Sequence, residues 1–213
     1  HMKSYLRFLS RNKLYTAIEI VGLSLALAFV LIIGSYVWQE YSISRENPDY
    51  ERIYIPTQSM PYGIFEPMKE QIPEIEKITL VNSFDDVVME CDDERLVTRG
   101  LAVRGDFFDI FDYEFLIGDA GCLESYTDIV ISESYAAKLA GKPELAVGMK
   151  IVPVDYPSQA YTVTGIIKDF DQNYWKYMDF ICKGESPLND GAQKNPIFTL
   201  SATAFIKVAE SAD

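Results

Sequence analysis

With 32 acidic against 19 basic side chains, this chain of 213 residues has a net charge of −13, which argues against binding nucleic acid or an anionic lipid surface by charge. Its one histidine is His1, which with Met2 reads as a cloning remnant, so Ser-His and Cys-His nucleophile pairs are excluded. Cys91, Cys122 and Cys182 are too widely spaced for a zinc site and are expected to be free, mostly buried thiols.

The first element is the plainest. Ile20 to Trp38 is a run of nineteen residues without a charge, and a hydrocarbon core about 30 Å thick takes roughly 20 such residues in a helix. Four basic residues precede it (Lys3, Arg7, Arg11 and Lys13), while Glu40, Glu46 and Asp49 follow it against Arg45 alone. That asymmetry predicts a short cytoplasmic segment over 3–13, a membrane helix over 14–40 and an extracytoplasmic domain over 41–213, with Tyr36, Trp38 and Tyr41 at the outer interface. The run is too long for a signal peptide, and no small-x-small cleavage site follows it. Glu19 stands at its inner edge, placed to snorkel or to face a partner helix. Beyond Trp38 the chain holds 15 basic and 31 acidic residues, so the outer domain carries most of the negative charge.

Past the turn at Asn47-Pro48-Asp49, alternation predicts a strand over Arg52 to Gln58. A short helix over Gly63 to Gln71 is ended by Pro73, and a strand follows over Glu76 to Asn82. Asp85 to Glu90 and Arg95 to Val103 form a hairpin about the acidic turn Cys91-Asp92-Asp93-Glu94. Asp106 is placed as N-cap of a short helix burying Phe107, Ile110 and Phe111. Asp128 to Ser132 reads as a buried strand, followed by a helix capped at Ser132 or Glu133 and closed by Gly141. Met149 to Val154 and Tyr161 to Phe170 are expected to pair, and Ile197 to Val208 to be the last strand. The stretch from Asp171 to Pro196 reads as loop with at most one short element. Asp169-Phe-Asp171-Gln-Asn173 alternates oxygen ligands as a calcium loop does, but lacks its glycine and distant glutamate. The pattern as a whole is α+β, with mixed or antiparallel sheets in a two-lobed domain.

No phosphate-binding Gly-x-x-x-x-Gly-Lys-Ser/Thr loop is present, so any ATPase lies elsewhere. Without a nucleophile motif, cofactor motif or metal-ligand set, the chain reads as neither an enzyme nor a cofactor binder.

Several segments together resemble the MacB/FtsX-like ABC transporter permeases, in their Bacteroidetes-type form. Tyr5 to Ala28, with Arg11-Asn-Lys-Leu-Tyr15 opening an apolar helix, is similar to their first transmembrane helix, although Glu19 stands where a neutral polar residue is usual. Ser44 to Tyr54, ending in Arg52-Ile-Tyr54, resembles their post-membrane motif. Asp106 to Asp119, Asp128 to Gly141 and Tyr161 to Phe170 follow in the family's order. The resemblance implies a periplasmic core domain between two membrane helices of a dimeric permease. The permease would sit in the inner membrane with its N-terminus inside and work with a cytoplasmic ATPase subunit. A periplasmic adaptor or outer-membrane protein and membrane lipid are the other implied partners. The implied task is mechanotransmission, coupling ATP hydrolysis to efflux, lipoprotein release or activation of a partner. The residues expected to carry it are Glu19, Tyr50, Arg52 and Tyr54 at the junction, Phe107, Phe108 and Phe111 in the core, and Gly165 at a close strand approach. A membrane-anchored sensor or ligand-binding domain is the competing reading, since fourteen tyrosines can line a pocket as well as an interface.

Overall fold

The computed structural model describes residues 13–43, 49–61, 65–169, 175, 177–184 and 201–210. The chain divides into two compact units, His1–Arg45 and Glu46–Asp213. Among the described residues the first is a single helix, α1, over Lys13–Ile43. Its 26 residues from Lys13 to Trp38 are long and apolar enough to cross a membrane. They have no polar face: Leu14, Val21, Leu27, Ile33 and Trp38 are all exposed within the unit. The Ser35 hydroxyl donates to the Ile32 carbonyl at 2.8 Å, so this polar group is satisfied within the helix.

The second unit is built on strands, numbered here in chain order. They are β1 (Ile53–Tyr54), β2 (Met60–Pro61), β3 (Ile75–Cys91), β4 (Glu94–Gly105), β5 (Phe115–Ile117), β6 (Asp128–Ser132), β7 (Lys150–Pro153), β8 (Tyr161–Ile167), β9 (Phe180–Lys183) and β10 (Ser201–Val208). Helices α2 (Phe65–Gln71), α3 (Phe107–Ile110) and α4 (Glu133–Ala140) complete it. The sheet runs β1-β10-β3-β4-β9-β6-β8-β5, with β2 on β10 and β7 bridging β3 and β8. Pairs β4–β9 and β6–β8 are parallel and the others antiparallel, which gives the mixed sheet of an α+β domain.

β3 and β4 form one long hairpin. The strand expected over Glu76–Asn82 and the arm expected from Asp85 are a single element, because a bulge between Phe84 and Val87, with Asp86 at φ 57°, lets the chain bend without breaking. At the tip, Asp92 and Asp93 have φ of 46° and 66°, the pair of left-handed positions that a two-residue hairpin turn requires.

The middle of the sheet is covered on both sides. Ile129 and Ile131 of β6 and Phe180 and Cys182 of β9 join one apolar cluster, with Tyr135 and Ala136 of α4. The alternate residues, Val130 and Ile181, join another with Phe107 and Ile110 of α3. A side-chain period of two sends neighbours to opposite faces, so the two clusters lie on either side of one sheet. Both strand–helix–strand passages read from the sequence contribute strands to this one sheet, within the single compact unit Glu46–Asp213.

Other expectations shift locally. In place of a strand over Arg52 to Gln58 there is a 3₁₀ turn at Tyr50–Arg52 and then only two residues of β1. Pro56, lacking an N–H, cannot extend the ladder. Asp106 precedes α3 but its carboxylate makes no cap bond; it accepts from Lys69 Nζ at 2.8 Å and from the Ile78 amide at 3.3 Å instead. Ser132 does cap α4, accepting from the Tyr135 amide at 3.3 Å, and Gly141 closes it at φ 73°. All three cysteines are free, Cys91 and Cys182 buried and Cys122 half-buried. The start of the helix expected from Gly63, most of the calcium-like sequence, the beginning of the last strand and the cytoplasmic segment lie outside the described residues.

Candidate functional site

The incoming segment of the outer unit is held by one side chain. Arg52 ends the 3₁₀ turn that begins at Tyr50, where its amide bonds to the Asp49 carbonyl at 2.8 Å. Its Nε donates to the Val208 carbonyl at 2.8 Å and Nη1 to Asp49 Oδ1 at 3.1 Å, while Nη2 pairs with Glu76. Glu210 stands 3.6 Å from Nη1. The other oxygen of Asp49 accepts from Lys207 Nζ at 2.5 Å. One guanidinium thus joins the segment before β1, the start of β3 and the end of β10.

Arginine suits this place because its planar fork offers several fixed donors at once, which a lysine cannot do. Lys207 is only 12% exposed, so its bond to Asp49 is partly shielded from water. This bond is the main reason the Asp49 carboxyl titrates below its ordinary value, against a smaller desolvation that raises it. Backbone pairing lies alongside, with Ile53 opposite Lys207 and Tyr54 opposite Ile206. The Ala209 amide closes the other flank by donating to the Glu74 carbonyl at 2.9 Å.

Behind the clasp lies an aromatic cluster. Phe107, 2% exposed, has its ring 5.1 Å from Phe111, 5.3 Å from Phe108, 5.6 Å from Tyr113 and 5.6 Å from Trp175. Trp175 and Phe111 in turn meet Phe205 of β10, at 5.0 and 5.2 Å. Ile53 packs against the same cluster. The edge-to-face geometry of Phe111–Phe205 and Trp175–Phe205 is the one ring quadrupoles favour. β10 is therefore shared: its backbone and Lys207 belong to the clasp, and its Phe205 to the core.

Of the residues singled out from the sequence, the structure brings Arg52, Phe107, Phe108 and Phe111 into this assembly. Tyr50 is half-buried in the turn, and Tyr54 is 57% exposed on β1. Glu19 is exposed on α1. Gly165 is elsewhere, buried in β8 where the register to β6 shifts; a Cβ there would come within 3.1 Å of Cys122 Sγ and 3.3 Å of the Ile117 carbonyl. Sequence reasoning missed Glu76, Lys207, Trp175 and Phe205, because Asp49 and Lys207 are 158 positions apart and no local pattern links them.

The fold is that of domains from permeases and ABC-type transporters. A domain of a protein assigned as a permease, from Porphyromonas gingivalis, superposes with a TM-score of 0.66 at 21% identity, over 78% of this chain and 76% of that one. The periplasmic region of MacB from Actinobacillus actinomycetemcomitans gives 0.54 at 13% identity, over 73% and 68% of the two chains. The extracellular domain of the noncanonic ABC-type transporter YknZ from Gram-positive bacteria gives 0.54 at 11%, over 73% and 76%. No curated protein sequence matches the chain. The model of one family, the MacB-like periplasmic core domain, matches residues 16–187. The chain belongs to that family, whose members are periplasmic parts of ABC transporters that pair with ATPase subunits.

Proposed function

We propose that this chain is the membrane-anchored outer part of a permease that transmits motion and does no chemistry of its own. In this reading α1 sits in the inner membrane with its N-terminus inside. The permease acts as a dimer with a cytoplasmic ATPase subunit. Closure of the ATPase displaces α1, and the displacement reaches the sheet through the segment from Asp49 to Tyr54. The observation that carries the reading is Arg52: it ties this segment to Glu76 of β3, Val208 of β10 and Glu210 just beyond by three polar contacts, so a pull on it moves the sheet and does not peel off β1. The motion serves efflux, lipoprotein release or activation of a periplasmic partner, such as an adaptor or outer-membrane protein. Surrounding lipid is the remaining partner, and no cofactor enters.

The test is purification of the full-length permease from membranes in mild detergent. The expected result is a co-purifying ATPase whose activity depends on this domain and is uncoupled from it by Arg52→Ala. If no ATPase accompanies the protein and the outer domain binds a small ligand, the sensor reading replaces this one.

A further inference from the structure

The β3–β4 hairpin runs past the strand that flanks it. β9 pairs with β4 only from Gly100 to Val103. Just before that, the Arg99 carbonyl accepts from the Asp179 amide at 2.7 Å, and the Arg99 amide donates to the Asp179 carboxylate at 2.9 Å. The main-chain groups of Arg99 therefore point towards the β9 side. With a period of two, those of Val97 and Arg95 point the same way, and no strand of the described residues pairs with them there. Tyr177, at φ 67°, lies where the chain approaches β9, and its side chain is 74% exposed. Val97 is 67% exposed.

A cleft of about 480 Å³ opens at this flank, between Val97 to Arg99 and Asp86 of the hairpin, Lys138 and Ser134 of α4, and Tyr177 to Asp179. Its size is that of a ligand-binding cleft. Two of its carboxylates are already used: Asp179 on the Arg99 amide, and Asp169 on the Ser134 amide at 2.9 Å. Arg99 itself leans on Asp85 at 3.5 Å. Lys138 makes no ion pair among the described residues. Asp86, on the hairpin wall, gives that side the opposite charge.

We propose that the flank of β4 over Arg95–Val97, unpaired among the described residues, takes an extended, acid-bearing segment of a second protein as an added strand, seated in this cleft. Unmet main-chain donors and acceptors supply the register of such an addition, and alternate side chains supply its selectivity. An apolar or β-branched side chain of the segment lies against Val97 and Tyr177, and its acid reaches Lys138. One acid suffices, because the outer domain is strongly negative as a whole. This surface is a property of the outer unit alone and does not depend on the transmission reading.

The experiment uses the full chain in lipid nanodiscs, with a displayed library of short random peptides as probe. The selected peptides, made synthetically, are titrated by fluorescence anisotropy. Expected are sequences that alternate apolar and polar residues around one acid. Their binding weakens by about tenfold or more in Val97→Pro, which removes an N–H that no strand of the described residues uses, and in Lys138→Glu. Against Lys138→Glu, a peptide with lysine in place of its acid regains affinity, a rescue that misfolding does not produce. The proposal is overturned if selected peptides bind both variants as tightly as the unmodified chain, or if none is selected. It is also overturned if Val97→Cys forms a disulfide between two copies in membranes, since the occupant is then this chain itself. ATPase coupling is unchanged by loss of this surface.

Discussion

Arg52 decides more than its size suggests. Replacing it with alanine leaves Glu76 and Glu210 without this cation and Asp49 with Lys207, and removes a donor from the Val208 carbonyl. For a half-buried network we expect a loss of about 1–2 kcal/mol, read as a lower urea midpoint of the outer domain, with lysine rescuing only part of it. The acid limb tests the same place. Because Lys207 holds the Asp49 carboxyl below its ordinary value, this bond stabilises fully above the unfolded value of 3.8 and is lost as pH falls through the lower folded value. Lys207→Met should flatten that limb of the stability curve; an unchanged acid limb would show that the bond contributes nothing. Arg52 could be singled out from its sequence neighbours Ile53 and Tyr54, but its partners on β10 could not, since only the folded sheet brings them near.

At the scale of elements, α3 and β9 show how far pattern reading reaches. α3 was legible because Phe107, Ile110 and Phe111 recur at helical spacing. Although only four residues long, it fills one face of the sheet. Phe107→Ala should cost about 3–5 kcal/mol, a cavity at the centre of the aromatic cluster, measured by chemical denaturation. β9 fell in a stretch read mainly as loop. Its Phe180-Ile-Cys-Lys183 is too short and too evenly apolar for periodicity to name it, yet it joins β4 to β6 and is buried on both faces. Burial pushes the Cys182 thiol up to about 12 from 9.0, so folding keeps a proton that the unfolded chain gives up. Stability from this site is full below 9.0 and declines as pH rises towards about 12. At pH about 8, iodoacetamide should modify half-buried Cys122 well before Cys182, whose labelling waits on unfolding. Equal rates would mean β9 opens on its own.

For the whole molecule, the class of fold was legible and its layout was not. Two strand–helix–strand passages read naturally as two lobes; in the fold their strands join one sheet, whose opposite faces carry α3 and α4. A mixed sheet covered on both faces is stiff, as the transmission proposed above requires. Coupling in the intact permease should therefore follow the outer domain's rigidity. Gly165→Val would press on Cys122 and the Ile117 carbonyl inside the sheet. We expect that variant to lower partner-dependent ATPase stimulation together with thermal stability. A variant that melts early yet couples normally would separate the two.

The place of β10 in the sheet has a consequence for biogenesis. β10 lies between β1 and β3, so among the described residues the strand latest in the chain joins two of the earliest. Until it arrives, the stretch of β3 from Ile75 to Val81 lacks its β10 partner and Arg52 lacks its Val208 acceptor. Closure of so long a loop is slow, and an open edge invites pairing with other chains. The start of β3 is therefore the part of the sheet most open to mispairing while the domain folds, and it stays so until β10 adds.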